Sequence, residues 1–282
     1  ELAYRERDTA NGALPHAFEY ATTQNNFSLA AFVHAYLELA GPAVTVSSAC
    51  SSSAKVFGNA ARMMAAGLCD AAVVGGVDTL CLTTLYGFNS LQLLSRTPCR
   101  PYDPQRDGIS IGEGAGFALL EKTGAADDAL LLGVGESSDA HHMSTPHPEG
   151  LGAALAMQRA LAAADMSASD IDYINLHGTA SKSNDAAEDK AVSKVFGHAT
   201  PVSSTKDYTG HLLGAAGITE AIIALLAIEH QMLPGGLHTQ KLDPALTSHY
   251  LLNNMAARVK RVLSNSFGFG GSNCSLVLGV RG

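Results

Sequence analysis

The sequence predicts an α/β fold made of two related halves, and three observations carry that expectation. Short apolar runs suited to strands alternate with longer runs of helical period along the 282 residues. Apolar residues make up 46 % of the chain and charged residues 16 %, enough to bury a large core. One order of signals also occurs twice: strand, serine-led junction, apolar helix, then a glycine-rich turn before another strand.

In the first occurrence, Ala43-Val44-Thr45-Val46 reads as a strand leading into Ser47-Ser48-Ala49-Cys50. A helix follows, with Val56, Phe57, Ala60, Ala61, Met63 and Met64 at mostly helical spacing and Gly67 as its stop. Ala71-Ala72-Val73-Val74 is the next strand and runs into Gly75-Gly76. The glycine-rich stretch from Gly112 to Gly116 then precedes a strand at Phe117-Ala118-Leu119-Leu120. In the second, Val202-Ser203-Ser204-Thr205-Lys206 echoes the segment ending at Cys50, and an apolar helix covers residues 212–230. Gly268-Phe269-Gly270-Gly271 precedes a strand at Ser275-Leu276-Val277-Leu278. Alternation of strand and helix implies parallel pairing. The repeated order suggests an internal duplication that places Cys50 and residues 206–211 at corresponding junctions. Chance similarity of glycine-rich α/β units is the alternative.

Composition excludes several classes. A net charge of −8 gives a nucleic-acid partner no electrostatic support. Five cysteines, an odd number without a CxxC pair, argue against a disulfide framework or a zinc site and fit a reducing cytoplasm. The first residues lack the apolar region of a signal peptide, and the longest strongly apolar run, residues 221–228, is too short to span a bilayer. Gly112-x-Gly114-x-Gly116 lacks the spacing and following helix of a dinucleotide fingerprint. Gly108-Ile109-Ser110-Ile111-Gly112 has the letters of a serine-hydrolase elbow without its strand and helix. His141, His142 and His147 lack metal-ligand spacing and read as a solvated or gating loop. No metal or cofactor is expected.

Cys50 lies where a strand hands over to a helix, a place where free N–H groups stabilise a thiolate and lower its pKa. The alternative is a buried cysteine acting as a small apolar side chain. His177 follows Tyr173-Ile174-Asn175-Leu176, at a strand's carboxyl end that faces the usual ligand crevice. His211 opens the second apolar helix. Either histidine alone could be structural. Glu220 lies in a helix apolar on nearly every face, so burial makes it costly unless paired, and Lys206 is the nearest upstream cation. A Lys206–Glu220 pair is expected, or else Glu220 reaches a solvent edge. Asp185-x-x-Glu188 reads either as a capping box or as electrostatic support for His177.

As a set, these motifs resemble the elongating (type I/II, Cys-His-His) β-ketoacyl-acyl carrier protein synthases. The matching residues are Ser48-Ala49-Cys50-Ser51-Ser52-Ser53, Gly75-Gly76, Tyr102-Asp103, Arg106-Asp107-Gly108, His177-Gly178-Thr179, Lys206, Gly210-His211, Gly214-Ala215-Ala216-Gly217, and the run from Asn265 to Asn273. The resemblance runs from about Tyr20 to the end. It implies a thiolase-like fold in a layered αβαβα arrangement. Residues 1–122 would form the half carrying the nucleophile, incomplete at its N-terminal side, and residues 123–282 the half carrying both histidines.

The resemblance also implies roles. Cys50 would accept an acyl chain as a thioester, and His177 and His211 would bind the malonyl thioester and stabilise its enolate. The amides of Cys50 and Phe269 would form the oxyanion hole, with Phe269 also the gate. Lys206 and Glu220 would support the histidines, and the loop from Asp139 to Pro148 would lie beside the gate. Initiating relatives carry Asn where His211 stands; thiolases use a second cysteine with no match here. The implied function is decarboxylative condensation in fatty-acid elongation. Alternatives are the same chemistry in type II polyketide or aryl-polyene synthesis, a non-catalytic partner subunit, or, least supported, a hydrolase. Expected partners are acyl carrier protein, acyl- and malonyl-loaded, and a second ketosynthase in a homodimer or heterodimer, with residues 20–32 near that interface. A docking arginine of some relatives is replaced by Gln92, leaving Arg62, Arg96 or Arg100 for the task.

Overall fold

The computed structural model describes residues 2–125 and 128–281; the outermost residues of the two predicted halves lie outside them. Three short helices lead in: α1 (Leu2–Arg5), α2 (Tyr20–Thr23) and α3 (Ser28–Tyr36). Then follow α4 (Ser52–Ala65), β1 (Ala71–Asp78), α5 (Leu82–Ser90), β2 (Gly114–Glu121), β3 (Leu130–Ser138), α6 (Leu151–Ala163), β4 (Tyr173–Asn175) and α7 (Lys182–Phe196). The chain continues through β5 (Pro201–Ser203), α8 (Lys206–Thr209), α9 (Ala216–His230), β6 (Met232–Leu233), β7 (His249–Tyr250), β8 (Met255–Ala256), β9 (Arg261–Gly268) and β10 (Ser272–Gly279).

A six-stranded sheet has the order β3-β10-β9-β4-β5-β7. Its central strands are buried on both faces because both are covered, and the polar residues they carry, among them Asn265 and Ser275, are buried with them. Helices α6 and α7 cover one face, around Met157, Ile174, Leu176 and Leu263. Helices α4 and α9 cover the other, around Phe57, Tyr173, Ile218, Val262 and Leu276. The pair β1–β2 packs on the far side of α4 and α9, so helix, sheet, helix and sheet alternate in layers. The two central helices meet closely at Gly217, where a Cβ would lie 2.5 Å from the Ala54 nitrogen and 2.7 Å from its Cβ.

The expectation of parallel pairing holds for β4 with β9, β4 with β5, and β5 with β7. It fails for β1–β2, β9–β10 and β10–β3, which are antiparallel. For β9–β10 the reason is local: Phe269–Gly271 turns the chain directly back, and a tight connection permits only antiparallel partners. Residues 43–46 form no strand. No described strand pairs with them, and Val44 is 58 % exposed. The helix expected over residues 212–230 opens as a 3₁₀ turn, Leu213–Ala215, before α9.

That continuous stretch corrects the expectation that no apolar run is long enough to cross a membrane. Leu213–His230 has the length and, at a mean hydropathy of 1.5, the composition. Half of it is buried, and α9 packs on β9, β10 and α4 as a core helix.

Parallel strands deliver their carboxyl ends to one edge of the sheet. His177 follows β4, Lys206 follows β5 and Phe269 follows β9. The turn holding Cys50, just ahead of α4, faces them.

Candidate active site

The chain reaches Cys50 through a turn with Ala49 at φ +52°, a left-handed conformation that a residue with a Cβ adopts only when its surroundings enforce it. Serines supply that enforcement. Ser51 Oγ donates to the Ser48 carbonyl at 2.9 Å, Ser52 Oγ donates to the Ala49 carbonyl at 2.6 Å, and Ser52 Oγ accepts from the Ser48 amide at 2.9 Å. The sequence suggested only that these were small neighbours. Ser53 does more: its hydroxyl accepts from the Ile218 amide at 3.0 Å, tying the start of α4 to the start of α9.

Cys50 is 5 % exposed. Burial pushes its thiol up to about 11, against the pull of Lys206 and of the Phe269 amide. The thiolate expected from a helix start is therefore not the resting form. Cys50 precedes the first helical residue, Ser52, by two positions, and desolvation outweighs what the helix end contributes.

His211 Nε2 stands 3.0 Å from Cys50 Sγ. Its backbone is clamped by the segment around Ser110, whose carbonyl accepts the His211 amide at 2.6 Å, while the His211 carbonyl accepts from Gly112 at 3.1 Å. That is where the false hydrolase motif falls: it braces a histidine. The His177 ring meets the His211 ring edge-on, with centroids 5.2 Å apart. Burial first, and the Lys206 charge second, hold both imidazoles well below the ordinary histidine range. Both rings are therefore neutral at pH 7, and a neutral imidazole can accept a proton or donate one.

Lys206 Nζ is bonded to Glu220 Oε1, and both side chains are buried. Burial pushes Glu220 up to about 7 while Lys206 draws it down. The pair joins α8, which precedes His211, to the central helix α9.

Asp185 and Glu188 do not form the helix cap. Ser181 is the N-cap of α7, its hydroxyl accepting the Asn184 amide at 3.4 Å, and both acids lie inside the helix. Their carboxylates turn back into the protein. Glu188 accepts the amides of His177 and Gly178, each at 2.8 Å, and the Asn265 side chain at 3.1 Å. Burial pushes Glu188 up to about 7 against these donors. Asp185 accepts the Ala180 amide at 3.2 Å and the Tyr102 amide at 3.0 Å, and lies 3.3 Å from Arg106. Burial lifts it to about 6. The His177 turn also needs Gly178, at φ +35° with a hypothetical Cβ 2.5 Å from Ser204 Cβ. Sequence reasoning did not find Ser53, Arg106 or Asn265 as parts of this assembly. Asn265 and Arg106 stood inside matched motifs without a role attached.

Cys50 and Phe269 line both of two cavities. One is a largely apolar chamber of about 1350 Å³ bounded by β1, α4 and the segment before Cys50. The other is a narrow cleft of about 50 Å³, lined also by His177, His211 and Phe267. The Phe269 ring packs against Phe88 with centroids 5.5 Å apart. The Asp139 to Pro148 loop touches this point: the Asp139 amide bonds the Gly271 carbonyl, and the Gly270 amide bonds the Met143 carbonyl. His141 and His147 lie ring to ring at 5.1 Å, and among the described residues no cluster suits a metal ion. Of the three arginines suggested for docking, Arg62 is engaged by Glu136 at 2.8 Å and Arg100 by the Gln105 carbonyl at 3.2 Å.

The layered fold with its buried Cys-His-His cluster is of the thiolase-like kind, and comparison with known proteins narrows it. Residues 3–126 match the N-terminal domain of beta-ketoacyl synthases and residues 129–240 the C-terminal domain. A 3-oxoacyl-[acyl-carrier-protein] synthase 2 of Rhizobium meliloti is 41 % identical over 261 residues, 86 % of this chain and 61 % of that protein. The mitochondrial 3-oxoacyl-[acyl-carrier-protein] synthase of Arabidopsis thaliana is 40 % identical, over 84 % of this chain and 56 % of its own length. The ketosynthase ApeO of Xenorhabdus doucetiae, solved in complex with its chain length factor ApeC, superposes with a TM-score of 0.90 at 45 % identity, over 95 % of this chain and 67 % of that one. A beta-ketoacyl synthase of Burkholderia phymatum superposes equally well, TM-score 0.90, at 33 % identity over 97 % of this chain and 70 % of that one. The chain belongs to the β-ketoacyl synthase family, on its elongating branch. It spans between 56 % and 62 % of the length of the first curated relatives.

Proposed function

We propose that this chain carries the condensing centre of a 3-oxoacyl-acyl carrier protein synthase. The observation that carries the reading is Cys50 Sγ held 3.0 Å from a neutral His211, with His177 beside it. In the first step Cys50 attacks an acyl-carrier thioester. The Cys50–acyl bond forms, the carrier sulfur leaves, and the thiol proton passes through His211 to that sulfur. A thiol kept protonated by burial needs such an acceptor.

In the second step, His177 and His211 donate to the thioester carbonyl of a malonyl-carrier, favouring loss of CO₂ by stabilising the enolate. The enolate carbon attacks the Cys50 thioester carbonyl, whose oxygen is met by the Cys50 and Phe269 amides. A carbon–carbon bond replaces the carbon–sulfur bond, CO₂ leaves, and the Cys50 thiolate takes up a proton from solvent through His211. Decarboxylation makes the nucleophile where it is consumed, so neutral histidines suffice. Phe269 would turn aside to join cleft and chamber when an acyl chain arrives. Asp185, Glu188, Lys206 and Glu220 support rather than react.

Fatty-acid elongation is the first reading of pathway, in keeping with the relatives named 3-oxoacyl-[acyl-carrier-protein] synthase. ApeO, at 45 % identity, favours a second: the same condensation in an aryl-polyene or polyketide system with a heterodimeric partner. We also read residues 1–122 and 123–282 as the two halves of the duplicated architecture. Acyl carrier protein and a second ketosynthase subunit are the proposed partners, the latter against the exposed aromatics Tyr20, Phe32 and Tyr36. The cytoplasm is the proposed compartment. Intact mass after incubation with an acyl-carrier thioester tests the centre. One acyl adduct on the unaltered protein and none on Cys50→Ala is expected; equal labelling of both, or none on folded protein, sinks the reading.

A further inference from the structure

We propose that Asp78 is a positioning residue for His211: its carboxylate grips the turn that follows His211 and so sets the imidazole against Cys50. The inference rests on the condensing reading for its chemical meaning, and on the geometry of that turn for its argument.

Upstream and at its own backbone, His211 is clamped by Ser110 and Gly112. Downstream, the chain enters Leu213 at φ +49°. A leucine in the left-handed region returns to ordinary backbone unless something opposes it. The next amide, Gly214 N–H, donates to Asp78 Oδ2 at 2.9 Å. Asp78 is the last residue of β1, so the grip reaches across from the layer beyond α4 and α9. Its other oxygen accepts the Thr79 amide at 3.1 Å, and among the described residues no cation lies within ion-pair distance. A carboxylate not neutralised by a cation makes a stronger bond to a backbone amide than a neutral acceptor does. Beyond Gly214, the Ser53–Ile218 bond and the contact of Gly217 with Ala54 fix the start of α9. Between His211 and α9 the turn makes its own short bonds, Ala215 N–H to the Leu212 carbonyl and Ala216 N–H to the Leu213 carbonyl, and Asp78 ties that turn to β1. Asp78 lines the large chamber alongside Cys50. Its hydrogen bonds go to the Thr79 and Gly214 amides and not to the sulfur or an imidazole, so it holds the His211 turn, while its charge also helps to keep the Cys50 thiol protonated.

The test compares Asp78→Asn with Asp78→Ala. Asparagine retains an oxygen that can accept the Gly214 amide; alanine retains none. The first readout needs no substrate: the imidazole signal of His211 in a ¹⁵N NMR spectrum, assigned by its loss in His211→Asn. We expect it to move in Asp78→Ala and to stay nearly in place in Asp78→Asn. The second readout is steady-state condensation. Asp78→Ala should lose more than about tenfold in kcat with KM for the malonyl-carrier little changed, and Asp78→Asn should stay within about threefold.

An unmoved His211 signal in folded Asp78→Ala overturns the proposal, and so does a loss in Asp78→Asn as deep as in Asp78→Ala. If the alanine variant fails to fold, Asp78→Asn decides alone: a retained signal position and near-normal kcat support the grip, and a tenfold loss overturns it. A parent protein that catalyses no condensation, with a signal that still moves in Asp78→Ala only, keeps the positioning role and refutes the functional reading.

Discussion

At the scale of single residues, the site is decided by desolvation. Sequence alone located Cys50, His177 and His211, because the motif letters and the strand-to-helix junctions are local features. It misjudged the protonation of Cys50, because burial is a property of everything packed around it. With its thiol pushed up to about 11, Cys50 should be alkylated by iodoacetamide at a rate that climbs about tenfold per pH unit from neutrality towards pH 10. A rate that levels off near pH 8 would mean a resting thiolate. The histidines make a prediction of opposite sign. His211 is held well below its unfolded range, so its contribution to stability is complete above the unfolded pKa and is lost as pH falls towards the folded one. His211→Asn removes that liability. Its melting temperature relative to the parent should therefore improve from pH 8 to pH 5, and parallel behaviour at the two pH values would contradict the depressed imidazole.

At the scale of elements, helices were legible and sheet pairing was not. Residues 212–230 announced a core helix by being apolar on nearly every face, and Glu220 stood out within it. Which strands pair, and in which sense, depends for β1–β2 and β10–β3 on partners far away in sequence, while the tight turn that makes β9–β10 antiparallel was passed over in favour of the strand–helix alternation. Residues 43–46 have the apolar pattern of a strand but no described partner to make one. The Asp185–Glu188 spacing mimicked a cap because three-residue spacing is shared by caps and by any inward helix face. Two predictions belong here. Gly217→Val would force α4 and α9 apart at Ala54 and should lower the melting temperature by several degrees while slowing Cys50 acylation. Glu220→Gln leaves Lys206 buried without its counter-charge and should cost roughly 3 kcal/mol in urea unfolding, most of it recovered when Lys206→Met is combined with Glu220→Leu. Equal stability of the single variant would place Glu220 at a solvent edge after all.

At the scale of the whole molecule, the layers place an apolar chamber beside Cys50, and they leave a face of large side chains uncovered. Tyr20, Phe32 and Tyr36 are each more than 60 % exposed. Phe32 and Tyr36 stack with centroids 5.7 Å apart, and contiguous exposed apolar area marks association surfaces. Sedimentation velocity should show self-association that Phe32→Asp weakens; a concentration-independent monomer would remove these aromatics from the interface. Composition foretold the buried α/β core well, since it reports on averages. It could not foretell which face stays open, because exposure is set by what the neighbouring layer covers.

Cys50 and His211 stand 161 residues apart in sequence, and Phe269 comes later still. Contacts at such separation form late, since a long loop must close before any of them is rewarded. On the ribosome, the cysteine emerges well before the imidazole that relieves it of its proton. A chain still being made therefore carries a thiol without its partner until His211 and Phe269 have followed it.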